Sequence, residues 1–184
     1  MALILNRFFG TRSWAFVGYA SSTSSTVDLS SLSAGDIAAG DFCVYVDYDR
    51  GVSGLPTAVT PSGFTNRVDE DGGSVYRGMV SDKKLTGSET TVTGMAGLNS
   101  NKVALVFRPS LAFTTAAAST PTSEMTDGNP SSQAISPSAE TSAVLIIGVS
   151  GVLGTAAFSS ASPAFDATMA NSDSDLLVGY KNYA

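Results

Sequence analysis

The chain has 184 residues, of which 43% are hydrophobic and only 14% are charged, and its net charge is −6 at neutral pH. A single domain of this length can bury about 70% of its unfolded surface, the composition excludes a disordered chain, and the acidic balance argues against nucleic-acid binding. The chain has no histidine, which removes the commonest general base and metal ligand, and its single cysteine excludes an internal disulfide and a cysteine-rich zinc site.

The first 13 residues differ from the rest of the chain. Residues 1–27 contain two arginines and no acid, so they carry +2 while the remaining residues carry −8. The arginines follow the short apolar stretch instead of preceding it, which is not typical of a signal peptide. Large apolar groups concentrated in so short a segment usually mark a contact. We therefore predict a partner-binding N-terminal arm over residues 1–13, with these contact residues: Leu3, Ile4, Leu5, Arg7, Phe8, Phe9 and Arg12.

An alternative for the same segment is that it folds back as an extra strand over its own core. The segment is too short and too interrupted to anchor the chain in a membrane. The most apolar run of the chain, residues 143–154, is also too short to span a bilayer.

Short runs rich in β-branched and aromatic residues, bounded by turn residues, predict strands along the rest of the chain. The strong candidates are residues 14–20, 42–49, 75–80, 102–108, 143–149 and 176–180, and the weaker ones are residues 26–29, 90–94 and 156–160. No stretch keeps a helical period, although residues 32–42 could hold one helical turn. Together these runs predict an all-β fold, a jelly-roll-like β-sandwich over residues 14–184 with an extended N-terminal arm.

Three of these runs carry predictions about the core. Residues 42–49 alternate between two faces, which predicts a strand with one buried face, and Cys43 within it is interpreted as a buried structural thiol. Residues 102–108 and 143–149 are apolar on both faces, so we predict central strands with Leu105 and Ile146 in the core. The polar residues 114–141 between them are predicted to form a long surface excursion.

The acidic stretch "VDEDGG" begins at Val68 and is the first candidate for a chemical site. An EF-hand loop needs glycine at its sixth position, whereas Gly72 is fourth counting from Asp69. We interpret the stretch as a polar turn between two strands, with Asp69, Glu70 and Asp71 projecting into water. A looser calcium site at these carboxylates stays open as an alternative.

Two Asp-x-Asp pairs could clasp a cation or flank a sugar, because residues two apart on a strand share a face. Both pairs lie at predicted strand ends, where acids are usually solvated, and we do not assign catalysis to them. The pairs are Asp47 with Asp49 and Asp173 with Asp175.

Two further patterns are weak. Ser81 and Lys84 match S-x-x-K, but the motif belongs on a helix and its usual partner motifs are absent. Four aromatic residues could form a sugar-stacking face, although aromatic residues in strands more often lie in the core. They are Trp14, Tyr45, Tyr48 and Tyr76. We predict no catalytic residues, no bound cofactor and no metal site.

The order of turn and strand motifs resembles a known group of proteins. The motifs are "AGDFCVYVDYD" (39–49), "PSGFTN" (61–66), "YRGMVSDKKLTGSETTVTG" (76–94) and "VALVFRP" (103–109). They resemble bacteriophage virion proteins with jelly-roll-like β-sandwich domains, found among capsid decoration (cement) proteins and tail appendages. The resemblance covers about residues 14–110 and, more weakly, 143–180. Such relatives often continue past "GYK" to a final strand, so we expect a neighbour to complete the last sheet edge here.

The resemblance implies a non-enzymatic structural virion protein, and first of all a capsid decoration protein. It implies binding to the major capsid protein or other virion subunits on the capsid exterior, as a homo-oligomer or in many copies, without nucleic acid or membrane. One alternative is a tail-fibre or receptor-binding module that recognises glycans. A weaker alternative is a calcium-dependent adhesin domain of a cell surface.

Overall fold

The computed structural model describes residues 2–3, 8–9, 14–33, 35–50, 55, 57, 59–71, 76–95, 100–110, 142–151, 164–170 and 176–183. Its strands are β1 (Ala2–Leu3), β2 (Phe8–Phe9), β3 (Trp14–Ser22), β4 (Thr26–Asp28), β5 (Phe42–Arg50), β6 (Thr65–Asp71), β7 (Tyr76–Lys84), β8 (Thr91–Thr93), β9 (Ser100–Pro109), β10 (Ser142–Gly151), β11 (Ala167–Ala170) and β12 (Leu176–Tyr183). One 3₁₀ turn, Leu29–Ser31, follows β4 and is capped by Asp28. Within the described residues, no helix is long and apolar enough to cross a membrane.

The strands form two five-stranded antiparallel sheets and one small ribbon. The inner sheet has the order β3-β9-β5-β7-β6. The outer sheet has the order β1-β10-β12-β11, and β2 also pairs with β10. The ribbon consists of β4 and β8. The chain is therefore an all-β protein, as predicted, and the jelly-roll connectivity stays a prediction.

The main core lies between the two sheets. It is built from one face of the inner sheet and from strands β11 and β12 of the outer sheet. Its buried members are Trp14, Phe42, Val44, Val46, Val68, Val80, Val103, Leu105, Phe107, Met169, Leu176 and Val178. The ring of Tyr180 packs 5.0 Å from Phe16 and 5.1 Å from Phe107, which joins the two sheets. The predicted burial of Leu105 is confirmed, whereas the side chain of Ile146 in β10 lies outside the described residues.

The opposite face of the inner sheet is buried as well, under the ribbon and the segments around it. This second core contains Val17, Ala20, Val27, Leu29, Cys43, Tyr45, Met79, Leu85, Val92, Met95, Ala104 and Val106. The prediction that residues 42–49 have one buried face is therefore wrong, because the ribbon covers the face that was expected to meet water. The prediction of a buried thiol at Cys43 is confirmed, and burial raises its pKa.

The six strong strand predictions are all confirmed, and the weaker candidates at 26–29 and 90–94 form the ribbon. The candidate at 156–160 and the predicted excursion at 114–141 lie outside the described residues. The last three residues of β6, 69–71, were interpreted as part of a turn, and β11 was not predicted. The final strand, β12, lies between β10 and β11 and is not a sheet edge.

Candidate functional site

Two pairs of aspartates that are far apart in the sequence lie on the same face of the inner sheet, the face that the ribbon covers. They are Asp47 with Asp49 and Asp69 with Asp71. Strand register places Asp49 opposite Arg77, and Arg77 opposite Asp71. The neighbouring row runs from Lys102 through Asp47 and Met79 to Asp69. We call this arrangement the aspartate grid, defined as Asp47, Asp49, Asp69, Asp71, Arg77 and Lys102.

The inner end of the grid is an ion pair sealed from water. The Nζ of Lys102 lies 3.2 Å from Oδ1 of Asp47, and both side chains are 0% exposed. The other carboxylate oxygen, Oδ2, accepts hydrogen bonds from the hydroxyl of Tyr45 at 3.0 Å and from the backbone N–H of Met95 at 2.7 Å. Three separate segments therefore meet at one carboxyl group: β5, β9 and the chain following β8.

Burial governs the protonation of this group. Loss of water raises the pKa of the Asp47 carboxyl, although Lys102 and the bonds from Met95 and Tyr45 act in the opposite direction. Burial and the neighbouring Asp47 also raise the pKa of the Tyr45 hydroxyl, which therefore stays a hydrogen-bond donor.

Gly94 allows the chain after β8 to approach the pair closely. A β-carbon at Gly94 would overlap the Tyr45 hydroxyl and Oδ2 of Asp47. Glycine at this position thus lets the next residue, Met95, bring its N–H to the carboxylate. The backbone N–H of Gly94 itself bonds the carbonyl of Ser25, which ties the same segment to the start of β4.

The outer end of the grid is open to solvent. The guanidinium of Arg77 donates to Asp69 at 2.9 Å and to Asp71 at 2.9 Å. These two aspartate side chains are 37% and 57% exposed. Arg77 therefore pairs with two of the three carboxylates that the sequence offered as a calcium site and offsets one of their negative charges.

Two predictions about these acids need correction. Asp69 and Asp71 are strand residues of β6 that clasp Arg77, because β6 continues to Asp71, so their assignment to the turn is wrong, whereas their side chains are exposed as predicted. The prediction that Asp47 and Asp49 are solvated is wrong, since both are buried under the ribbon. The pair Asp173 and Asp175 lies outside the described residues. Within the described residues, no three acidic, cysteine or histidine side chains are placed to hold a metal ion.

The remaining sequence patterns do not converge on one site. Ser81 is buried on the grid face of β7, whereas Lys84 is exposed and three residues away on a strand, hence on the opposite face. Trp14 and Tyr45 are buried on opposite faces of the inner sheet. The other two aromatic candidates, Tyr48 and Tyr76, do lie together, stacked with ring centroids 6.4 Å apart and half-buried.

Two pieces of the N-terminal arm lie along β10. Ala2 and Leu3 pair with Gly148 and Ile147, and Phe8 and Phe9 pair with Ala143 and Ser142. Of the other predicted contact residues, Ile4, Leu5, Arg7 and Arg12 lie outside the described residues. This backbone pairing is the arrangement expected if the arm folds back on its own sheet. Contact of the arm with a partner stays a prediction.

Comparison of the chain with protein-family models, with curated proteins and with solved structures finds no match. The function is therefore argued from the chain itself.

Lys102 is the residue that sequence reasoning missed. It was included in an apolar strand candidate and was given no role. The sequence does contain a signal for this residue, because a lysine in a strand that is apolar on both faces needs a buried partner. The partner could not be named from sequence, because the pairing of Lys102 with Asp47 depends on the register between β5 and β9.

Proposed function

We propose that this chain is a non-enzymatic structural protein of a bacteriophage virion, and specifically a capsid decoration protein. The observation that carries the proposal is the pairing of the N-terminal segment with β10, which the described residues show for two short pieces. Each piece contributes two residue pairs against a strand of ten residues. The resemblance of residues 14–110 to virion β-sandwich proteins supports the assignment.

Strand β1 lies at the edge of the outer sheet, a position that suits a strand exchanging between its own sheet and a neighbouring subunit. Addition of an extended segment to a sheet edge is a common mode of peptide recognition, in which backbone hydrogen bonds provide affinity and side chains provide selectivity. The five large apolar side chains of the segment could contribute about 1.5–3 kcal/mol each when buried, before ordering costs. Arg7 and Arg12 would steer the arm towards an acidic partner surface, and this effect should weaken with salt.

The chemistry of the aspartate grid fits a structural role. The carboxylates of Asp47, Asp69 and Asp71 each contact a cation of the same sheet. Ion pairs of this kind connect neighbouring strands and leave few polar atoms available to bind a substrate.

Deleting residues 2–12 tests the proposal. Immunogold labelling of intact particles of the virus that carries this gene should show copies over the whole shell for the full chain. The truncated chain should stay folded by circular dichroism and no longer bind particles stripped of the native protein. Unfolding of the truncated chain, full decoration by it, or absence of the full chain from particles would each overturn the proposed role. A variant with Arg7 and Arg12 replaced by Gln separates steering from apolar contact, because it should bind with weaker salt dependence.

One observation favours the tail-fibre alternative. Tyr48 and Tyr76 stack at the end of the inner sheet and remain partly exposed, and exposed tyrosine rings are common sugar platforms. Labelling confined to the tail, together with glycan binding that is lost in Tyr76→Ala, would favour this function over decoration.

A further inference from the structure

We propose that Lys102 and Asp47 become joined by an intramolecular isopeptide bond between strands β9 and β5. The proposal concerns the chemistry of the buried pair and does not depend on the virion role. It rests on the distance, the exclusion of water and the placement of two hydrogen-bond donors on one oxygen of the carboxyl group.

The reacting groups are already in contact. The Nζ of Lys102 lies 3.2 Å from Oδ1 of Asp47, an oxygen on the Cγ atom that Nζ would attack. Register fixes this meeting, since Lys102 and Asp47 are direct partners across two hydrogen-bonded strands. Both strands are interior strands of the inner sheet, so neither residue can move away without breaking the sheet.

Burial disfavours the charged carboxylate at this site. The side chains of Asp47 and Lys102 are both 0% exposed, so their charges have lost their hydration. Burial raises the pKa of the Asp47 carboxyl, which favours the protonated acid that the reaction needs.

The two hydrogen-bond donors to Oδ2 of Asp47 are placed where negative charge would develop during the reaction. Attack of the neutral amine on Cγ of Asp47 gives a tetrahedral centre whose negative charge falls on Oδ2. Tyr45 donates to that oxygen from 3.0 Å and Met95 from 2.7 Å, as the donors of an oxyanion hole do. After the reaction Oδ2 is the amide oxygen and can keep both hydrogen bonds.

The reaction balances without any further reactant. The carboxylic acid and the neutral amine form a bond from Nζ to Cγ. The bond from Cγ to Oδ1 breaks, and the departing hydroxyl takes one proton from the nitrogen and leaves as water. Nothing is oxidised or reduced, and the product is a secondary amide that keeps one N–H.

Intact-mass spectrometry of the purified, denatured full chain tests the proposal. We expect a mass lower than that of the sequence by one water molecule. Trypsin should no longer cleave after Lys102, and because Pro109 blocks cleavage after Arg108, the digest should contain residues 13–50 joined to residues 85–181. The full sequence mass, with a free peptide ending at Lys102, would overturn the proposal. Loss of water at any other position would overturn it as well.

The chain offers an internal control and a variant control. Lys83 and Glu89 are also in contact, at 3.0 Å, but their side chains are 21% and 12% exposed. This wetter pair should stay unlinked, and trypsin should cleave after Lys83. Lys102→Met should have its full sequence mass. Loss of one water in Lys102→Met would rule out a link through that lysine.

Discussion

The two faces of the inner sheet are both buried, but they are built differently. The face that meets the outer sheet is packed with apolar side chains such as Val44, Leu105 and Phe107. The face under the ribbon also contains apolar residues, but it encloses the ionic pair of Asp47 and Lys102. The first face depends on side-chain volume and tolerates small adjustments. The second also depends on the pairing of buried charges, and loss of one partner leaves the other charge buried without compensation.

The largest expected effect comes from removing half of the ionic pair. Asp47→Ala leaves the Lys102 side chain buried without its carboxyl partner and removes the acceptor of Tyr45 and Met95. We expect a loss of about 3–5 kcal/mol in the free energy of unfolding, measured by urea titration.

A double variant shows whether charge or shape causes that loss. Asp47→Ala with Lys102→Met removes both charges while keeping apolar volume at position 102. If the pair stays ionic, this variant should recover a large part of the lost stability, since apolar replacement of a whole buried pair is often nearly neutral. If the proposed amide bond joins the pair, the recovery should be small, because the double variant lacks that bond as well. A single variant within about 1 kcal/mol of the parent would mean that the pair is not buried as described.

The apolar face should respond differently to a comparable change. Leu105→Ala removes a fully buried side chain from the main core and should cost about 2–5 kcal/mol in the same titration. No second-site change of charge should recover this loss. Near-neutral unfolding of Leu105→Ala would contradict the central position of β9 between β3 and β5.

The packing of the ribbon side against the inner sheet can be tested at Gly94, where the chain after β8 approaches the ionic pair. Gly94→Ala places a methyl group against the Tyr45 hydroxyl and Oδ2 of Asp47, so either the ribbon or the pair must shift. We expect a cost of about 1–3 kcal/mol, as for other overpacked sites. Gly35→Ala is the matched control, because a β-carbon there meets Val17 only at ordinary contact distance. Equal stabilities of the two variants would argue against close packing at Gly94.

The sequence predicts the apolar face far better than the grid. Leu105 was placed correctly because burial of an apolar strand follows from its own composition. Asp47 was misplaced because alternation shows which residues share a face, but not whether another part of the chain covers that face. The end of strand β6 was interpreted as a turn because Asp69 and Asp71 have low strand propensity, and their pairing with Arg77 compensates for this. Register and coverage are tertiary properties, and the grid depends on both.

The smallest effect is expected at the solvent end of the grid. Asp69→Asn combined with Asp71→Asn removes both partners of Arg77, whose side chain is near enough to the surface to turn towards water. The loss in stability should stay within about 1 kcal/mol and should shrink further at high salt, because exposed ion pairs are weak and screened. The parent chain should bind calcium no more strongly than this variant in isothermal titration, since the Arg77 guanidinium already occupies the space between the two carboxylates. Binding in the range of about 1 µM that disappears in the variant would show that calcium displaces Arg77. That result would favour the calcium-dependent adhesin over the structural virion protein, and it would make the open end of the grid, rather than its buried end, the part that carries function.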